Sequence, residues 1–151
     1  MARYLTSSDA NVALNGTIPF DIVSIRCNKG CVIPLAPGVL TLKGGSSNSF
    51  ARYEVTFQGN VSIPDGGAVT PIAVGITLNG TVIPDSVAIV TPVAVGDEWH
   101  INTSTVITVP CGCCVSVSAA YVDGTEDDAS VVPTPSIAVR RLASLTVTRI
   151  A

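Results

Sequence analysis

Five cysteines, one histidine and a short acidic run are the side chains best suited to chemistry in this 151-residue chain. Cys27 and Cys31 stand close together, and Cys111, Gly112, Cys113 and Cys114 form a second group. Four thiolates would suit a zinc ion, which asks for tetrahedral sulfur ligands at about 2.3 Å. The customary spacing is Cys-x2-Cys, however, and neither group has it. On a strand Cys111 and Cys113 share a face while Cys114 opposes them, so at most two of the three converge on one centre. Disulfides are a second option, with an odd thiol left over. A cytoplasmic origin disfavours them during folding, although a particle later released into oxidising surroundings can acquire them. The third option is thiols buried as small hydrophobes. No cofactor is expected.

His100 sits beside Trp99 and follows Asp97 and Glu98. A carboxylate-oriented histidine can act as a base, but no serine or cysteine stands in a recognisable nucleophile motif, and catalysis is not expected. In a strand His100 points away from the face that carries Trp99 and Ile101, toward solvent or a neighbouring subunit. Asp123, Glu126, Asp127 and Asp128 make an acidic loop. Calcium takes six to eight oxygen ligands, but the spacing is not that of an EF-hand, and a charge run on a loop is usually solvated. Four Asn-x-Ser/Thr triplets, beginning at Asn15, Asn60, Asn79 and Asn102, need a secretory route to matter. The opening Met1 to Asp9 has no apolar run of signal-peptide length, so synthesis and assembly in a cytoplasm are expected.

The elements that would carry these residues are strands. From Ala51 to Ile63 the chain alternates, with Ala51, Tyr53, Val55, Phe57, Gly59, Val61 and Ile63 on one side and Arg52, Glu54, Thr56, Gln58, Asn60 and Ser62 on the other. This spacing predicts one half-buried strand about 40 Å long. Ile72, Val74, Ile76 and Leu78 share a face, as do Trp99, Ile101, Thr103, Thr105, Ile107 and Val109, and then Val115, Val117, Ala119 and Tyr121. No stretch has a helical period. Turn residues separate the runs, and Asn79-Gly80 is the strongest short hairpin signal, because a type I′ turn needs positive φ at both central positions. Regular short strands of this kind predict an all-β sandwich or barrel. Residues 1–35 differ in rhythm: Pro19 and Pro34, with Pro37 just beyond, punctuate short strand-like runs, and proline keeps to strand edges, starts and bulges. They read as an N-terminal arm, 1–35, before a main domain, 36–151. On that reading, loss of residues 1–30 leaves the domain folded. Val69 to Gly75 is echoed by Val90 to Gly96, but the echo ends with its strand-and-turn unit, which argues against an array of repeats.

Composition adds a further constraint. Hydrophobic residues make up 47% and charged residues only 13%, against about 25% charged in an average domain. Such a chain has more apolar surface than its own core can hide, and a permanent oligomer is the ordinary remedy. No stretch gives about 20 continuous apolar residues, and at 5% aromatics the girdles of a membrane β-barrel are missing. A net charge of −3, with Lys and Arg scattered apart from Arg140-Arg141, offers nucleic acid no basic stripe. Neither a membrane nor a nucleic acid is an expected partner.

Several segments carry a resemblance: Pro37 to Leu40, the long strand Ala51 to Val61, Ile76 to Ser86 with its Asn-Gly step, the Thr- and Val-rich Ile101 to Val109, and the closing Leu145-Thr146-Val147. From Gly38 to Ala151 the chain resembles the trimeric jelly-roll family typified by tumour necrosis factor and the complement globular head, in the form common in Gram-positive bacteria and their phages. It departs at Pro110-Cys111-Gly112-Cys113-Cys114, where relatives usually carry a Gly-Asp or similar turn. The resemblance implies an antiparallel jelly-roll homotrimer displayed on a particle. It also implies that the long strand and the Asn-Gly hairpin build the sheet nearest the threefold axis, so Tyr53, Val55, Phe57, Val61, Ile76 and Leu78 are the expected trimer core or interface. The expected role is structural: a capsid decoration or head-fibre subunit on the outside of a bacteriophage, partnered by itself and by the major capsid protein or another shell protein, with the arm as anchor. Two alternatives share the fold: a receptor- or glycan-binding fibre tip, and a spore or cell-surface protein. Aromatic rings that would stack on sugars are few, and Tyr53, Phe57, Trp99 and Tyr121 all fall on faces expected to be buried.

Overall fold

The β-branched alternation noted above folds as strands throughout. The computed structural model describes residues 1–27, 32–36, 38–44, 50–111, 114–123 and 132–150. In chain order the strands are β1 (Ala2–Leu5), β2 (Ala10–Ala13), β3 (Ile22–Ile25), β4 (Val32–Ala36), β5 (Val39–Leu42), β6 (Ala51–Ser62), β7 (Ile72–Leu78), β8 (Thr81–Val82), β9 (Ala88–Val90), β10 (Trp99–Val109), β11 (Val115–Val122), β12 (Ser136–Val139) and β13 (Ser144–Arg149), with one 3₁₀ turn at Pro84–Ser86. No helix among the described residues is long and apolar enough to cross a membrane. Two antiparallel sheets face each other as a sandwich. One runs β10-β6-β13-β1-β3, with β12 pairing the far end of β6 and carrying β2; the other runs β4-β5-β11-β7, with β8 and β9 both on the outer side of β7.

The long strand β6 organises the first sheet. It pairs with β10 over eleven consecutive positions, from Trp99 opposite Val61 to Val109 opposite Ala51, and with β13 on its other side, from Ser144 opposite Gln58 to Arg149 opposite Tyr53. Its alternation is real: Ala51, Tyr53, Val55, Phe57 and Val61 are fully buried, whereas Arg52, Glu54, Gln58 and Asn60 face solvent. Ser62 is the exception. Placed on the polar side by the alternation, it is buried where β12 crosses the strand's end. The six residues expected at a trimer core or interface lie inside one protomer, five fully enclosed and Leu78 partly. The long strand and the Asn-Gly hairpin do not share a sheet, contrary to what the resemblance implies: β6 belongs to one sheet, β7 and β8 to the other.

The second sheet is more buried than a one-sided strand pattern suggests. In β7 the outward residues Ala73 and Thr77 are buried along with the inward ones. The chain from Thr81 to Val90 lies against that side: a Cβ at Gly75 would come within 2.9 Å of Val82 Cγ1 and 3.2 Å of Val87 Cγ2, so glycine there leaves room for the covering valines. Asn79 and Gly80 have φ of 52° and 85°, as the predicted type I′ hairpin requires. The 3₁₀ turn interrupts the edge between β8 and β9, and Ser86 fills the gap. Its buried Oγ accepts a hydrogen bond from Ile76 N at 2.9 Å and lies 2.7 Å from Ile83 O, to which it donates. Ser86→Ala would orphan the Ile76 amide, so chemical denaturation should show a loss of about 1–3 kcal/mol. An unchanged midpoint would mean that water or a strand shift replaces the hydroxyl.

The expected arm is a correction. β1 lies between β13 and β3, β2 pairs with β12, and residues 15–18 hydrogen-bond to β11. Ala2, Tyr4, Val12, Ile18 and Phe20 belong to the same buried cluster as Phe57 and Tyr121, and the Phe20 ring meets Phe57 edge-on with centroids 6.1 Å apart. The prolines in residues 1–35 mark where the chain crosses between sheets and runs along an edge, not a segment outside them.

Candidate functional site

The residues first expected to do chemistry do not converge. Cys27 is disulfide-bonded, which removes it from any set of four thiolate ligands. Cys111 and Cys114 remain thiols, and both are exposed rather than buried as small hydrophobes. Cys31 and Cys113 lie outside the described residues, as do Glu126, Asp127 and Asp128 of the acidic loop. Among the described residues no group of three or more His, Cys, Asp or Glu is placed to hold a metal ion. His100 is exposed, as the strand reading predicts, with Nδ1 3.3 Å from Asn60 Oδ1 across the β10–β6 pair. Trp99 shares the inward face of β10 but is 40% exposed, because it sits at the end of the sandwich beyond the core.

What does converge is a polar corner that the sequence marked only by its Arg140-Arg141 doublet. The turn from Arg140 to Ala143 separates β12 from β13 and packs on the turn between β1 and β2. Thr6 ties the two backbones together: its N–H donates to Ala143 O (3.0 Å), its carbonyl accepts from Leu142 N (2.9 Å), and its hydroxyl accepts from Ala143 N (3.1 Å). Asp9 accepts the Arg141 amide at 2.8 Å and Arg140 Nη1 at 3.0 Å. These bonds, the Arg141 amide first and the Arg140 side chain next, hold its carboxyl below the ordinary aspartate range. Arg140 Nε lies 2.6 Å from Glu98 Oε1, out of line for a hydrogen bond, so that contact is ionic. Both acids favour the charged guanidinium and raise the Arg140 pKa. A matching clip lies nearby, where Asp21 accepts from the Ser7 amide and hydroxyl, which lower its pKa.

The corner leaves a groove on the solvent side of β6. Gln58, Asn60, His100, Arg141 and Leu142 line it, with Gly59 and Ala143 beneath, around a volume of about 310 Å³. Leu142 takes a left-handed φ of 68° and is 60% exposed. The Arg141 guanidinium and the Gln58 amide make no hydrogen bond or ion pair among the described residues. A second, smaller pocket of about 150 Å³ opens at the other side of the sandwich between Tyr4, Val23, Arg26, Cys27, Val32 and Pro34.

Part of the exposed apolar surface lies along the two long sides of the sandwich. On one side β3 exposes Ile22, Val23 and Ile25, and β4 exposes Ile33 and Leu35. On the other, Ile89 of β9 and Val106 of β10 are exposed on the outer faces of their two sheets, with Trp99 exposed at the end of β10. Among the described residues the outer edge of β10 carries no strand. The run Ile22-Val23-Ser24-Ile25 held a signal for this: it places apolar residues on both faces, with Ser24 its one polar residue, and all four are exposed.

No family model matches the chain, and no curated relative does. Among solved structures the chain is similar to the EclA C-terminal domain, a sugar-binding protein, with a TM-score of 0.40 and 11% identity over 95% of this chain and 79% of that one.

Proposed function

We propose that this chain is a non-enzymatic structural subunit that closes into a homotrimer through the two long sides of its sandwich and decorates the outside of a bacteriophage capsid. The observation that carries the reading is the pair of apolar sides. An exposed edge strand is a template for another chain, and proteins protect such edges with Lys, Pro, bulges or cover. Among the described residues no strand pairs with the edge of β10, Trp99–Val109 contains no Lys, Arg, Asp, Glu or Pro, and its register against β6 runs unbroken for eleven pairs. A copy of the chain supplies the missing cover, with Ile89, Trp99 and Val106 of one subunit set against Ile22, Val23, Ile25, Ile33 and Leu35 of the next. Because the two patches differ, the contact is heterologous, and a rotation of one third of a turn closes it into a trimeric ring. The strand order supports the fold behind this reading. Counted along the chain, β1, β5, β6, β7, β9, β10, β11 and β13 form one sheet in the order 1-8-3-6 and the other in the order 2-7-4-5, which is jelly-roll order.

Native mass spectrometry is expected to give three times the 15.4 kDa chain mass, and Val106→Lys is expected to yield a folded monomer. A wild-type monomer at micromolar concentration, or a Val106→Lys protein that stays trimeric, would overturn the assembly. The capsid half is tested separately by the genes flanking its own: major capsid, portal and terminase genes support it, and a spore-coat or cell-wall setting overturns it.

A further inference from the structure

We infer that the groove formed by β6, the start of β10 and the Arg140–Ala143 turn binds a carboxylate-bearing sugar. The inference goes beyond the assembly reading and does not depend on it. Arg140 answers both nearby acids, Asp9 and Glu98, and Asp9 accepts the backbone amide of Arg141. The main chain of Arg141 is therefore fixed, while its guanidinium, which acts on Asp9 only through longer-range attraction, makes no hydrogen bond or ion pair among the described residues and lines the groove. A planar fork of this kind matches one carboxylate through two parallel hydrogen bonds. Among the described residues the Gln58 amide beside it uses neither its donor nor its acceptor, and the Asn60 side-chain amide uses only its oxygen, toward His100. Side-chain amides donate and accept from adjacent positions, as pairs of neighbouring sugar hydroxyls do. Leu142, turned outward by its left-handed backbone, adds an apolar lip for the C–H face of a pyranose ring.

Size and charge narrow the ligand. At about 310 Å³ the groove stands at the low end of small-molecule sites, which run from about 300 to 1,000 Å³. It suits one ring rather than an extended chain, and among the described residues Arg141 is the one Arg or Lys that lines it, which suits one carboxylate rather than a diphosphate. A hexuronate and a sialic acid share this chemistry.

The test uses the full chain, titrated separately with sodium glucuronate, sodium N-acetylneuraminate, glucose and sodium acetate at constant ionic strength and followed by amide NMR shifts. At least one acidic sugar is expected to give saturable shifts at Gln58, Asn60, His100 and Leu142, with glucose and acetate weaker by about tenfold or more. Arg141→Gln should lose about tenfold in affinity, and Arg141→Lys should recover only part, because a point charge lacks the fork. Gln58→Ala, which removes no charge at an exposed position, should weaken binding with the circular dichroism unchanged. The inference is overturned by the absence of saturable shifts with both acidic sugars, by equal binding of glucose or acetate, or by full affinity in the Arg141→Gln protein.

Discussion

Val61→Asp is expected to abolish folding, while Asn60→Asp one residue away leaves stability within about 1 kcal/mol. Val61 is fully buried, opposite Trp99 on one side and Val139 on the other, and so lies where three strands meet. Among the described residues the charged groups nearest this end of the sheet, Glu98 and Arg140, pair on the surface rather than in the core, so a carboxylate at position 61 would have no partner. Burying such a charge costs several kcal/mol even after it neutralises itself by taking up a proton. A domain of this kind has only roughly 5–15 kcal/mol to lose. Asn60 points to solvent beside His100, where an added charge stays hydrated. Expression, circular dichroism and urea denaturation of the two proteins decide the matter. Equal tolerance, or the reverse order, would mean that the register of β6 is wrong.

Deletion of residues 1–27 should be as damaging, and here the structure reverses what the sequence suggested. The segment supplies β1, β2 and β3 and the buried side chains Ala2, Tyr4, Val12, Ile18 and Phe20. Burial of each larger one is worth about 1.5–3 kcal/mol, so together they approach the whole stability of a domain. Their removal would also strip the edges of β12 and β13 and uncover Phe57. The truncated protein is expected to be insoluble or to lack a cooperative thermal transition. A soluble product that melts cooperatively would restore the arm as a separate piece.

The parts of this fold that were legible in the sequence are those where one face alone meets water. β6 announced itself because Arg52, Glu54, Gln58 and Asn60 interrupt its apolar residues at every second position, and the β7–β8 hairpin did so because only a few residues tolerate its turn. Context decided the rest. Val69 to Gly75 and Val90 to Gly96 are nearly the same heptapeptide, yet Ile72 to Val74 are enclosed in β7, whereas Val93 is 77% exposed in an irregular turn ending at Gly96 with φ of 87°. Nothing local separates the two; the neighbours do, since the first copy has β11 beside it. The groove was hidden for a related reason. Gln58, Asn60, His100 and Arg141 are scattered along the chain, and only the packing of the Arg140–Ala143 turn against β6 and β10 makes them one place.

The pairing of β1 with β13, which sets Ala2 opposite Val147, has a consequence for how the protein is made. Nascent chains leave the ribosome N-terminus first, so β1 and β6 both emerge well before the strand that joins them. Until Ser144–Arg149 is synthesised, β6 has lost its central partner and β1 has only β3. Closure of the core must therefore wait until β13 has been made, and non-local pairing of this kind folds slowly. During that wait a twelve-residue strand stands with one edge open at high local concentration on a polysome, where it is most exposed to aggregation. The same strand that organises the first sheet of the finished protein is thus its main hazard in birth, and synthesis rate and temperature, more than the equilibrium stability of the folded form, should govern the yield of soluble protein.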